Sequence, residues 1–217
     1  MPILYSFRRC PYAIRTRMTL AYTGIQVELR DILLKDKPAD MITASPKATV
    51  PVLTCADGTV LEESFDIMLW ALARQDPEHW LPDDEKTKAA IFALVEENDG
   101  PFKANLDQYK YHVRFPDSPR ETYRTAGAEF LQKLDNLLSK TSFLMSNETT
   151  FADMAIFPFI RQFANSDRDW FDTAPYPHLQ KWLDTILASE RFAFVMEKRA
   201  IWQSGTSGPA FPASHGS

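Results

Sequence analysis

Residues 3–24 read Ile3-Leu4-Tyr5-Ser6-Phe7-Arg8-Arg9-Cys10-Pro11-Tyr12-Ala13-Ile14-Arg15-Thr16-Arg17-Met18-Thr19-Leu20-Ala21-Tyr22-Thr23-Gly24. Residues 3–7 are apolar with one serine, short enough for a buried strand. Ile14, Met18 and Ala21 then recur at i, i+4 and i+7, which predicts a helix over residues 11–23. Pro11 suits its first turn, where the missing N–H would be unpaired anyway, and Gly24 suits the left-handed stop. Working outward, residues 27–32 read as a second strand and residues 35–44 as a polar, weakly helical connection. Residues 52–55 and 59–61 form two short strands joined by Ala56-Asp57-Gly58, whose Asp-Gly is a hairpin signal. Residues 65–74 are helical again. The order β-α-β-α-β-β-α implies a right-handed parallel crossover with an antiparallel hairpin at the edge.

This α/β portion spans residues 1–76. Asp76-Pro77, Pro82-Asp83-Asp84 and the charges up to Lys88 mark residues 77–84 as a linker. Beyond it no strand pattern is found. Residues 87–98, 102–113, 119–138, 151–163 and 178–188 suit helices, so residues 85–203 form an all-helical domain. Residues 161–171 have no regular period. Residues 204–217, rich in Ser, Gly, Pro and Ala, read as a mobile tail.

The chain has 217 residues, of which 24 are Lys or Arg and 29 are Asp or Glu, a net charge of -5. That balance argues against nucleic acid or an anionic membrane as partner, since both need a basic footprint. No apolar run nears the roughly 18 residues of a membrane span, and the N-terminus lacks the apolar core of a signal peptide. Two cysteines make no disulfide framework, and a reducing cytoplasmic setting is the default. Four scattered histidines offer no metal spacing, and neither a glycine-rich phosphate loop nor a G-x-S-x-G elbow is present.

The chemistry centres on Cys10. Before Pro11 it stands at the helix N-cap, over the positive end of the helix dipole and beside Arg8 and Arg9. All three favour thiolate and a pKa below the ~8.5 of a free thiol. The alternative is a buried structural cysteine. Position 13 is Ala13, so no C-x-x-C pair exists and a resolving thiol must come from outside. Cys55, at a strand end, reads as core. Val50-Pro51 is a strand edge, Ser64 an N-cap for the helix after it, Lys37 a surface lysine and Thr150-x-x-Asp153 a capping box. Phe102, Leu106 and Tyr109 share a helical face after the Gly100-Pro101 break and suit bundle core or a pocket wall.

Tyr5-Ser6-Phe7-Arg8-Arg9-Cys10-Pro11-Tyr12 with Arg15-Thr16-Arg17 resembles the start of a cysteine-type glutathione transferase, omega-like or of a related bacterial class. The resemblance continues at Leu34-Lys35-Asp36-Lys37-Pro38, Ser45-Pro46, Thr49-Val50-Pro51-Val52-Leu53, Glu62-Glu63-Ser64 and Thr150-Phe151-Ala152-Asp153, over about residues 3–200. It implies a thioredoxin-like N-terminal domain followed by an all-helical one, with glutathione as substrate and no metal. Cys10 would be catalytic. A cis Pro51 would turn the Val50 backbone toward the cysteinyl part of glutathione. Ser64 and the helix start would take its γ-glutamyl carboxylate, Glu63 its ammonium and Lys37 its glycyl carboxylate. Phe102, Leu106, Tyr109 and Trp202 would wall the acceptor pocket, and the assembly would be a homodimer. The implied activity is thiol transfer, including dehydroascorbate reduction or deglutathionylation. Conjugation to electrophiles with Tyr5 or Ser6 polarising the glutathione thiol, or a non-catalytic interaction module, are the alternatives.

Overall fold

The computed structural model describes residues 1–116 and 118–213. It divides into a first unit, Met1–Glu78 together with the chain from Glu190 onward, and a second unit, His79–Ser189.

The first unit follows the expected order: β1 (Ile3–Ser6), α1 (Pro11–Thr23), β2 (Val27–Asp31), α2 (Ala39–Ala44), β3 (Val52–Thr54), β4 (Val60–Leu61) and α3 (Ser64–Leu72). β1 and β2 run parallel, with Ser6 opposite Asp31. β3 lies antiparallel to β1, with Tyr5 opposite Val52, and β4 closes the hairpin. Gly24 ends α1 at φ 70°, its N–H donating to Leu20 O at 3.0 Å. In the hairpin loop Gly58 takes φ 88°, the conformation an Asp-Gly loop needs. Cys55 sits in this turn, half-buried, with its N–H on Thr59 O at 2.7 Å. The core role expected for it is therefore corrected: β3 ends at Thr54 and the turn carries Cys55 toward the surface.

The C-terminal stretch differs most from the sequence reading. From Glu190 the chain belongs with the first unit, not with the helical domain expected over residues 85–203. Two elements follow, α10 (Glu190–Val195, after the helices α4–α9 of the second unit described below) and β5 (Ala210–Phe211). β5 pairs antiparallel with β2, giving the sheet order β4-β3-β1-β2-β5. Trp202 is the anchor. Its backbone N–H donates to Asp31 O at 2.8 Å and its indole N–H to Thr206 O at 2.9 Å. The Arg30 guanidinium lies 4.2 Å from the Trp202 ring centroid. Residues 204–213 are thus an edge connection, not a mobile tail; residues 214–217 lie outside the described residues. Two paired residues are too few to register as a hydrophobic period, and the Ser/Gly/Pro content reflects turns. Gly208 is required there, because a Cβ on it would fall 2.2 Å from Leu29 O. Gly208→Ala is expected to cost about 1–3 kcal/mol by forcing the backbone apart. Thermal unfolding, with faster proteolysis between residues 204 and 213, checks this.

The second unit is helical throughout its elements: α4 (Glu85–Glu97), α5 (Lys103–Lys110), α6 (Arg120–Leu138), α7 (Phe151–Ala164), α8 (Arg168–Thr173) and α9 (Pro177–Leu187). Gly100-Pro101 does not break the helix. The chain stays helical through a π turn, Asn98–Phe102, whose Lys103 N–H bonds Asn98 O. Proline lacks an N–H, and the wider turn accommodates that gap. At the start of α7, Asp153 is fully buried and accepts from the Thr150 N–H at 2.8 Å and the Thr150 hydroxyl at 2.7 Å. It also accepts from the Leu144 N–H at 2.9 Å and the Trp182 indole N–H at 2.8 Å. The structural role read from Thr150-x-x-Asp153 thus extends to a loop and to α9.

Candidate active site

Pro11 opens α1 and leaves Cys10 at its N-cap with extended backbone, φ -70° and ψ 125°. A tight turn holds the residue, the Cys10 N–H donating to Phe7 O at 3.0 Å. Its half-buried thiol donates to Val50 O at 3.7 Å. The Val50-Pro51 peptide is cis. Cys10 and the backbone before Pro51, 40 residues apart in sequence, are therefore brought together.

Two arginines of α1 carry the rest of the polar framework, and neither was singled out as functional from the sequence. Arg15 is buried and donates through Nε to Ser64 Oγ at 3.0 Å. Arg17 is buried and donates to the Ser6 hydroxyl and, through Nη2, to Arg8 O at 2.7 Å. Burial pushes the Arg17 guanidinium down to about 10, opposed by the negative charge of Asp31 and of Cys10. A guanidinium holds its proton at neutral pH, so Arg17 presents a fixed positive charge to the region of Cys10. The available signal was two long cations at i and i+2 in a helix whose other residues are apolar or small; buried positions on nearly every side of α1 enclose both.

Ser64 is the first residue of α3 rather than its cap. Glu63 holds the N-cap position and makes no side-chain cap bond. The N-cap role expected for Ser64 is thereby corrected: its hydroxyl accepts from Arg15 instead. A helix start with a hydroxyl and a guanidinium behind it is a carboxylate-binding arrangement. Glu63 is exposed and pairs with Lys47, while Glu62 accepts from the Ser45 hydroxyl. Lys37 stands half-buried in the loop between β2 and α2.

Tyr5 and Ser6 point to opposite sides of β1, and each already meets an arginine. The Tyr5 hydroxyl accepts from Arg30 Nη1 at 2.8 Å, and burial pushes its titration upward. Ser6 is fully buried. Trp202 packs edge-on to Tyr5 at 5.9 Å, inside the first unit. Phe102, Leu106 and Tyr109 are buried within the helical unit, the Phe102 ring 4.9 Å from Phe130 and the Tyr109 ring 4.9 Å from Phe163. These three side chains occupy that unit's core.

A parallel β-α-β start, an antiparallel hairpin and a cysteine at the first helix N-cap facing a cis-proline backbone define a thioredoxin-like thiol site. The glutathione S-transferase N-terminal domain family model matches residues 4–80, and the C-terminal domain model matches residues 114–185. The chain belongs to the glutathione S-transferase superfamily. It is 30% identical to mouse glutathione S-transferase omega-1 over 161 residues, 73% of this chain and 65% of that protein. With rat maleylacetoacetate isomerase it shares 29% over 202 residues, 88% of this chain and 90% of the relative. A glutathione S-transferase from Methylobacillus flagellatus with glutathione bound has the same fold: TM-score 0.76 at 21% identity, covering 90% of this chain and 98% of the other.

Proposed function

We propose that the protein is a glutathione-dependent thiol transferase acting through Cys10. The observation that carries this is the Cys10 thiol at the α1 N-cap, 3.7 Å from the Val50 carbonyl beside cis Pro51. Glutathione lies with its cysteinyl backbone along Val50, as an added strand would. Its γ-glutamyl carboxylate meets Ser64, with Arg15 behind, at the start of α3. Lys37 takes the glycyl carboxylate, and Glu63 faces the ammonium in exchange for Lys47. The Cys10 thiolate attacks the glutathionyl sulfur of a mixed disulfide. The S–S bond breaks, the other thiol leaves and takes up a proton, and Cys10 is S-glutathionylated. A second glutathione thiolate attacks the glutathionyl sulfur, releasing oxidised glutathione and restoring the Cys10 thiolate. Removal of glutathione from small conjugates uses the same cycle; in dehydroascorbate reduction Cys10 instead adds to a carbonyl carbon, one glutathione thiolate attacks the Cys10 sulfur and expels ascorbate, and a second glutathione releases oxidised glutathione from S-glutathionylated Cys10. The enzyme works as a cytoplasmic homodimer, two-fold pairing being the commonest assembly.

Conjugation is the second reading, and it needs a hydroxyl available to the glutathione thiolate. Ser6 is buried on Arg17 and Tyr5 is bonded to Arg30, which favours thiol transfer over it. Parallel assays of hydroxyethyl-disulfide reduction and chloro-dinitrobenzene conjugation separate the two; conjugation alone would overturn the proposal. Ser64→Ala is expected to weaken glutathione binding about tenfold by removing a carboxylate partner supported by Arg15. Titration calorimetry giving unchanged affinity would take Ser64 out of the site.

A further inference from the structure

Phe7, Arg8 and Arg9, the turn that delivers Cys10, also form one wall of a cavity of about 320 Å³. Asp31 at the end of β2 and the stretch after α10, with Lys198 and Arg199, form the others. All of it lies in the first unit. The size is at the low end for small-molecule sites.

We propose that this cavity is an anion subsite that seats the carboxylate of a small organic acid beside the turn that carries Cys10. The proposal rests on Cys10 being the reacting group, as proposed above, and it names the acceptor class. The first argument is charge. The lining holds Arg8, Arg9, Lys198 and Arg199 against the single carboxylate of Asp31. Glu197, exposed and 3.2 Å from Arg199, still leaves a positive surplus. In a cleft with low-dielectric walls such a surplus concentrates anions.

The second argument is that two of these cations, Arg8 and Arg199, are held in place. Arg8 donates through Nη1 to Met196 O at 3.3 Å, one of the five N–H bonds of its guanidinium. Arg199 donates to Phe194 O at 3.0 Å and lies over the Phe194 and Phe211 rings, 5.3 and 5.1 Å from their centroids. A guanidinium fixed this way loses little freedom when it meets a planar carboxylate. The third argument is Asp31. Its Oδ1 is buried and has no hydrogen-bond partner among the described residues. That oxygen is closed off from the cavity, so what an occupant meets of Asp31 is its charge. Arg17, Arg199 and Arg8 all act on Asp31 against the burial that raises it, so its charge is outweighed where the acid docks.

Two reagents with the same leaving group and different charge test this without glutathione. Iodoacetate is an anion and iodoacetamide is neutral; both alkylate a thiolate with loss of iodide. In the full chain carrying Cys55→Ser, the iodoacetate-to-iodoacetamide rate ratio at Cys10 is expected to exceed that of N-acetylcysteine about tenfold, at equal pH and salt. Arg9→Ser combined with Lys198→Ser, both at exposed positions, is expected to bring the ratio most of the way back. The ratio cancels any general change in thiol reactivity. A ratio at or below that of the free thiol overturns the subsite, as does a raised ratio that the double variant leaves unchanged. A raised, variant-sensitive ratio in a protein without thiol transfer would sink the catalytic reading and leave the subsite standing; thiol transfer with a free-thiol ratio would do the reverse.

Discussion

Cys10→Ser is expected to lower the proposed thiol transfer by about a thousandfold or more, because a serine hydroxyl has no accessible alkoxide near neutral pH and forms no mixed disulfide. Cys55→Ser is expected to leave that activity nearly intact. The two thiols differ in setting. Cys10 stands at a helix N-terminus with the fixed charge of Arg17 acting on it. Cys55 stands in a hairpin turn where burial and the Asp57 carboxylate push its thiol up, against Arg74. Alkylation followed by mass spectrometry should modify Cys10 at a lower pH than Cys55. Thiol transfer should fall as pH drops and the Cys10 thiolate is protonated. The serine variant is expected to keep or gain conjugating activity, its hydroxyl donating to the bound glutathione thiolate. Full thiol transfer in Cys10→Ser would end the proposed mechanism, and selective alkylation of Cys55 would remove its electrostatic basis.

Asp153→Ala is expected to destabilise the protein by about 4 kcal/mol, since it leaves the buried donors of Leu144, Thr150 and Trp182 without their acceptor. For a chain of this size that is a fall in Tm of about 10 °C. Asp153→Asn keeps one acceptor oxygen and should cost about half as much. The measurement is thermal unfolding followed by circular dichroism. The loss concerns the helical unit, so the chemistry at Cys10 in the surviving folded fraction should be little changed. A Tm within 2 °C of the parent would mean that the four bonds are replaced by water at little cost.

Much of the first unit was legible because its signals are local. Pro11 and Gly24 bracket α1, Asp57-Gly58 announces the hairpin, and Cys10-Pro11 places the thiol at a helix start. What escaped the sequence reading is set by partners far along the chain. Arg15 and Arg17 look like surface cations until α3 and β1 enclose them. Ser64 has the composition of an N-cap, yet it lies inside the helix and its hydroxyl accepts from Arg15. β5 consists of two residues whose pairing with Val27 and Glu28 no window of the sequence contains. Gly100-Pro101 is ordinarily a stop signal, and only the π turn lets the helix run through it.

The return of the chain to its first sheet has a consequence for the order of synthesis. The second unit is one continuous segment, whereas the first needs residues made before it and residues made after it. While the ribosome is still translating, β2 has its β1 partner but an open outer edge, and the Asp31 carbonyl awaits the Trp202 N–H. That edge closes only after Trp202 and the two residues of β5 have been made. A nascent chain stalled before Trp202 thus exposes an unpaired β-edge, the feature most prone to pairing with a neighbouring chain.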